Sequence, residues 1–329
     1  MTTRVVSGMR PTGRLHLGHL VGALRNWSEL QTQHDCFYFA ADWHALTTEY
    51  ADTRLVQQHV VDNITDWLAA GVDPERATIF VQSLVPDHAE LHLLLSMMIP
   101  IPWLERVPSY KEQQDQLTER DLGTYGFLGY PLLQTADVII YDADFVPVGE
   151  DQVPHLELSR EVVRRFHHLH GDVFVEPKAL LTNFPRLPGL DNRKMSKSYH
   201  NTIDLSDTPA AVEQKVRQMY TDPKRVRADT PGTVEGNPVF VYHDAFNPDR
   251  AEVDDLKLRY REGRVGDVEV KKKLALALNT AMAPLRERRV ALAAHPDRVH
   301  EIIHEGSRKA RAVASETMRR VREALHLAY

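Results

Sequence analysis

The stretch "TGRLHLGHLVGALRN" (residues 12–26) sets two histidines three apart, His16 and His19, around Leu17 and Gly18. Pro11, Thr12 and Gly13 make a turn before it, and apolar residues at helical spacing follow. The upstream "RVVSG" is β-branched and reads as a strand, so the HLGH tetrapeptide falls at a strand-to-helix turn. In an open parallel sheet, turns at the carboxyl ends of strands form the ligand crevice. A helix start offers unpaired backbone N–H groups and a positive dipole end, both suited to phosphate. Gly18 lets a flat ring lie on the backbone, and imidazoles can donate to charge developing on a phosphate.

Working outward, "DCFYFAAD" (35–42) and "ATIFVQS" (77–83) read as further strands, with helical patterns over 17–33, about 53–70 and 87–98. Strand–helix alternation predicts a doubly wound α/β domain, a parallel sheet covered on both faces. Two more helices are expected over 131–141 and 151–169. The segment "TNFPRLPGLDNRKMSKSYHN" (182–201) breaks the rhythm with prolines, glycine and polar residues, and reads as a loop and domain boundary. Helical patterns dominate from 209 onward, clearest over 271–289 and 307–326. The expected organisation is a Rossmann-like domain over 1–200, a smaller all-helical domain over 201–295, and a C-terminal helix over 296–329.

Composition bounds the function. With 43% hydrophobic and 26% charged residues, the 329-residue chain can bury an ordinary core. No apolar run reaches the ~18 residues of a membrane span, and no secretory signal opens the chain. The single Cys36 excludes an intramolecular disulfide and fits a reducing cytoplasm. A net charge of −6 argues against non-specific attraction to nucleic acid, while leaving room for a local basic face.

Two further patterns carry chemistry. In "KMSKS" (194–198), Lys194 and Lys197 flank Met195 and Ser196, and ammonium groups on flexible stems can follow a phosphate whose charge moves. In "GYPLLQTADVIIYDAD", Tyr130, Gln134, Asp137 and Tyr141 recur at steps of four, three and four, with Pro131 at the expected first helical position. A solvated face would show the same spacing. This one carries no lysine or glutamate and mixes aromatic rings with hydrogen-bonding groups, which suits a pocket.

HLGH together with KMSKS resembles the two signatures of class I aminoacyl-tRNA synthetases. Within that class the chain resembles the bacterial tryptophanyl-tRNA synthetases, through "SGMRPTGRLHLGHLVGALRNW", "ADWHALT", "DPERATIFVQSLVPDHAEL", "YPLLQTADVIIY" and "VPVGEDQVPHLELSRE". The resemblance implies ATP-dependent activation of L-tryptophan, transfer to tRNA(Trp), a cytoplasmic homodimer, and magnesium arriving with ATP without a protein metal site. It assigns catalysis to His16, His19, Lys194 and Lys197. ATP would also meet Met9, Arg10, Thr12, Gly18, Asp151, Met195 and Ser196. For tryptophan it implies Asp137 as the acceptor of the indole N–H and Tyr130 and Gln152 at the amino end. Val6, His44, Gln82, Gln134, Val146 and Val148 would line the pocket. Residues 201–295 would then bind the anticodon.

Asp137 suits its role physically, because indole nitrogen is only a donor and a pure acceptor recognises it. Gln134 departs from the methionine common in relatives. Arg10 stands where glutamine is common, and Gln113 where a lysine commonly follows Lys111 by two places. These two departures suggest that a positive charge has moved from the Lys111 loop to the HLGH turn. Glu150, with Asp151 beside it, would cap the following helix. Lys224, Arg225 and Arg227, and Arg308, Lys309, Arg311, Arg319, Arg320 and Arg322, are candidate tRNA phosphate contacts. Met97, Met98, Ile99 and Trp103 are candidates for a dimer interface. Three alternatives stay open: tyrosine specificity, an HxGH nucleotidyltransferase acting without tRNA, and a catalytically silent synthetase-like binding module.

Overall fold

The structure is a computed structural model that describes residues 2–107, 123–181, 187–196, 199–225, 227 and 229–329. Lys111, Gln113, Lys197 and Ser198 lie outside the described residues. Two compact units emerge: Met1–Gly13 with Asn26–Asn183 and His295–Tyr329, and Arg14–Arg25 with Phe184–Ala294. These units are not collinear with the chain. The HLGH segment groups with the later residues, and the C-terminal helix groups with the sheet.

The first unit is built on a parallel sheet of β1 (Arg4–Met9), β2 (Asp35–Ala40), β3 (Ala77–Val81), β4 (Phe145–Val148) and β5 (Lys178–Leu181), in the order β3-β2-β1-β4-β5. Every pairing is parallel, which gives the expected doubly wound α/β fold. β4 and β5 escape the sequence reading because each is four residues long, too short to show a pattern. Strand order reverses between β1 and β4, and a ligand crevice belongs at such a switch point. Apolar residues from β1, β2, β4 and the flanking helices, including Val6, Phe37, Phe39, Val146 and Val148, form one buried core.

β3 is the sheet edge, and helix Pro296–Ala324 covers it. A Cβ on Gly306 would lie 1.8 Å from the Ile79 carbonyl oxygen, so only glycine permits this approach. Ser307 Oγ accepts from the Val81 N–H at 3.4 Å. Arg320 and Arg322, expected on tRNA, instead clamp this helix down. Arg320 donates to Asp142 (2.5 Å) and the Val173 carbonyl (2.6 Å), and Arg322 to Glu90 (2.7 Å).

In the second unit, helices Pro209–Arg217, Pro238–Phe246 and Arg250–Arg261 start at side-chain caps Thr208, Asn237 and Asp249. Lys271, on helix Asp267–Ala293, is buried because its ammonium donates to the Met219 carbonyl (2.6 Å) and Thr221 Oγ1 (2.8 Å). Arg225 corrects a second tRNA expectation. Its guanidinium lies 4.1 Å from the Tyr260 ring centroid and donates to the carbonyls of Thr230 and Val265, both at 2.8 Å. Lys224 and Arg227 stay exposed.

Candidate active site

The first unit places a carboxylate where the polar helix face predicts one. Helix Tyr125–Ile139 starts at the Thr124 cap, six residues before the expected start, so Pro131 sits inside it. Asp137 is 1% exposed. Three side chains converge on it. His44 Nε2 lies 2.8 Å from Oδ2, His88 Nδ1 lies 2.7 Å from Oδ1, and Gln82 Nε2 donates to both oxygens at 2.8 and 2.9 Å. Gln82 cannot flip its amide without loss, because its Oε1 accepts the Trp43 N–H at 3.1 Å. Asp42 Oδ1 accepts the Trp43 N–H (3.1 Å) and the Ser83 N–H (3.0 Å), tying the His44 helix to the end of β3.

Burial pushes the Asp137 carboxyl up, but hydrogen bonds and charge from His44 and then His88 outweigh it and hold it below the usual range. It is therefore an anion and an acceptor only. Val6, Val146 and Val148 are buried within the core beside the switch point, and Gln134 is half-buried. Tyr130 lies with its ring 5.7 Å from His155. Burial draws His155 down to about 4, with His44 adding to the shift and Asp151 opposing it. Asp151 and Gln152 are exposed; Glu150 and Asp151 stand in the first turn of Glu150–Gln152, with no side-chain capping hydrogen bond there or at helix Val153–His170.

At the end of β1, Met9 pairs with Ala40, and the Thr12 N–H closes a turn on the Arg10 carbonyl at 2.9 Å. Arg10 Nη2 donates to Thr48 Oγ1 at 2.5 Å.

The second unit brings the two signatures together. His16 caps the short helix Leu17–His19, which continues into a π-helical stretch, Leu20–Leu24. His16 Nδ1 accepts the Gly18 N–H and His19 Nδ1 accepts the His16 N–H, each at 3.2 Å. Each neutral ring then carries its proton on Nε2, the nitrogen turned away from the backbone. A Cβ on Gly18 would meet His16 Cε1 and Met195 Sδ, both at 2.9 Å. The segment after KMSKS holds the turn, through Leu17 N–H to the Ile203 carbonyl and Leu205 N–H to the Leu15 carbonyl, both 2.9 Å. Lys194 is exposed, and Met195 and Ser196 are half-buried.

Sequence reasoning missed two residues. Asn201, 3% exposed, receives the Ser196 N–H at 2.8 Å and donates to the Lys194 carbonyl at 3.1 Å and to Asp191 at 2.8 Å. His88 is fully buried on helix Asp87–Ser96. No local sequence signal singled out His88, because its partner Asp137 lies 49 residues away.

A doubly wound sheet in one unit and, in the other, an HLGH helix start with Met195 of KMSKS packed at Gly18 fit a class I synthetase. The chain belongs to the family described as tRNA synthetases class I (W and Y), whose model matches residues 1–283. Among its relatives, the Tryptophan--tRNA ligase of Thermotoga maritima is 49% identical over 327 residues, covering 99% of this chain and 100% of the relative. That of Aquifex aeolicus is 42% identical, covering 98% and 100%. The solved tryptophanyl-tRNA synthetase of Campylobacter jejuni, complexed with ADP and tryptophan, matches with a TM-score of 0.89 at 30% identity, covering 99% and 100%. A tyrosyl-tRNA synthetase of Archaeoglobus fulgidus complexed with L-tyrosine reaches 0.67 at 25% identity, covering 88% and 90%.

Proposed function

We propose that the chain is a tryptophan–tRNA ligase, activating L-tryptophan with ATP to tryptophanyl-adenylate and passing the acyl group to tRNA(Trp). The full-length similarity to ligases of that name supports the activity. The observation that carries the specificity is Asp137, a buried anion held by His44, Gln82 and His88. An acceptor-only group suits the donor-only indole nitrogen, and a hydrogen bond to a charged partner contributes roughly 1.5–3 kcal/mol.

The tryptophan carboxylate already has the lone pair needed to attack the ATP α-phosphate, so no general base is required. The α-phosphorus gains a carboxylate oxygen and loses pyrophosphate. Catalysis reduces to placement and charge stabilisation. His16 and His19 supply Nε2–H donors to the phosphates, and Lys194 and Lys197 meet the charge that builds on pyrophosphate. Magnesium belongs to the nucleotide substrate. Tyr130 and Gln152 serve the amino end of tryptophan.

The protein works as a cytoplasmic homodimer. Leu93, Met97 and Ile101 are 53, 74 and 58% exposed, an apolar stripe that a second copy would cover. This shifts the interface from the residues expected. Ile99 is buried, and Met98 and Trp103 pack on the core of their own unit. Lys224 and Arg227 contact tRNA phosphates. Among the described residues, no helix is long and apolar enough to cross a membrane.

The decisive measurement is ATP–pyrophosphate exchange with tryptophan against tyrosine, followed by tRNA(Trp) charging. Exchange driven by tyrosine, or exchange without charging, would reject the reading.

A further inference from the structure

The Asp137 carboxylate ends a chain of groups that the tryptophan reading does not use. His88 Nε2 lies 2.7 Å from Tyr141 Oη, while its Nδ1 faces Asp137 Oδ1 at 2.7 Å. All three residues are at most 1% exposed. Burial, then the charges of Asp137 and Asp87, push the Tyr141 hydroxyl far above its ordinary range, so it keeps its proton. A phenol that donates stands on one side of the imidazole, and a carboxylate that only accepts stands on the other. One arrangement satisfies all three: Tyr141 O–H to Nε2, and Nδ1–H to Oδ1. The second nitrogen's hydrogen bond selects the tautomer.

We propose that Tyr141 and His88 are positioning residues that fix the direction and ionisation of Asp137, and so set how strongly the enzyme demands an N–H on the substrate ring. The inference rests on the reading of Asp137 as the indole acceptor. Oδ1 is filled by His88 and Gln82, both fully buried, whereas Oδ2 is shared by Gln82 and His44. His44 is the one donor of the three with side-chain exposure, 9%, so Oδ2 is the oxygen that turns to the ligand. Removing the Tyr141 hydroxyl frees the His88 tautomer. With Nε2 left without its partner, the imidazole loses one of its two anchors and can turn, so Asp137 loses the Nδ1–H donor and is freer to rotate or take a proton. A protonated carboxyl offers the indole a donor where it needs an acceptor.

Packing makes the test clean. The Tyr141 ring stacks on Phe37 at 5.0 Å and meets Phe80 edge-on at 5.4 Å, contacts that phenylalanine keeps. The probe is β-(3-benzothienyl)-L-alanine, in which sulfur replaces the indole N–H with little change of shape. The ratio of kcat/KM for L-tryptophan over this analogue, in ATP–pyrophosphate exchange, reads the demand for the N–H directly. Asp137→Asn should bring the ratio close to one. Tyr141→Phe should lower it at least tenfold, through a raised KM for tryptophan, with kcat and the analogue's KM little changed. His88→Leu should lower it as far, whereas His88→Asn, whose amide can donate near the Nδ1 position, should restore most of it. Generic damage to the fold would weaken both substrates alike and leave the ratio intact. If Asp137→Asn loses the ratio but Tyr141→Phe and His88→Leu keep it, the positioning role is overturned and the indole acceptor stands. If Asp137→Asn itself keeps the ratio, the acceptor reading fails and takes this inference with it.

Discussion

The carboxamide oxygen of Asn201 lies 2.8 Å from the backbone N–H of Ser196, while its nitrogen donates to the Lys194 carbonyl at 3.1 Å. One buried side chain thus grips the KMSKS loop on both sides of Met195. A lysine that meets moving phosphate charge acts only if its backbone is held in place. Asn201→Ala should lower kcat for pyrophosphate exchange by about 10- to 100-fold with little change in the KM for tryptophan, in line with lost transition-state positioning. Steady-state exchange kinetics check this, and a change confined to KM would assign Asn201 to ground-state binding.

The C-terminal helix is a second device that local sequence does not reveal. Gly306→Ala would drive a methyl into the Ile79 carbonyl, 1.8 Å away by ideal geometry. Overpacking of this kind costs about 1–3 kcal/mol, more where backbone must shift. Because β3 runs directly into Gln82, the same variant should raise the KM for tryptophan. Thermal unfolding and exchange kinetics on one preparation test both effects. An unchanged Tm would show that the helix does not brace the strand.

Legibility tracked how local each feature is. β1, β2 and β3 carry patterns within a few residues, and they stand where those patterns put them, whereas the HLGH and KMSKS segments group with the second unit and not with the sheet-bearing stretch in which the sequence reading set them. β4, of four residues, is defined by its neighbours β1 and β5, not by its own composition. The start of the Tyr125–Ile139 helix was misplaced because Pro131 is a stronger local signal than the Thr124 cap. Arg225, Arg320 and Arg322 look like solvated cations in sequence. Each has a partner that no local window contains: Val265 lies 40 residues from Arg225, Asp142 178 from Arg320, and Glu90 232 from Arg322.

Acid should loosen the protein with a known sign. His155 has an ordinary value of 6.5 and a folded value of about 4, so the unfolded chain takes the proton first. Stability is whole above pH 6.5 and falls as pH drops from 6.5 towards 4, at up to ~1.4 kcal/mol per pH unit for one proton. Burial lowers His92 as well, and it adds to the slope. His155→Gln should flatten the acid limb by one proton's worth. Denaturant unfolding between pH 7 and pH 4 measures it. An identical slope in the variant would mean His155 is charged in the native state.

The apolar stripe gives an assembly prediction. Met97 is 74% exposed, so Met97→Glu costs the folded protomer little, but it would bury a charge in a symmetric interface twice over. Sedimentation at micromolar concentration should show dimers for the parent protein and monomers for the variant. A dimer that tolerates the glutamate would move the interface elsewhere.

Arg10 offers the sharpest separation of a direct role from a supporting one. Its Nη2 donates to Thr48 Oγ1 at 2.5 Å, which holds the guanidinium at the end of β1. A fixed cation of this kind binds ground state and transition state alike, unlike a lysine on a loop. Arg10→Gln should therefore raise the KM for ATP or for tryptophan about tenfold with a smaller effect on kcat. Thr48→Val keeps the charge and removes the anchor, so it should raise the same KM by a lesser factor. Since Thr48 acts through Arg10, the double variant should be no worse than Arg10→Gln alone. Gln113→Lys, which restores a cation common in relatives, should recover part of the loss. The four-variant cycle distinguishes coupling from independence. If the two effects multiply in the double variant and Gln113→Lys rescues nothing, Thr48 does not act through Arg10 and the relocated-charge role of Arg10 is rejected.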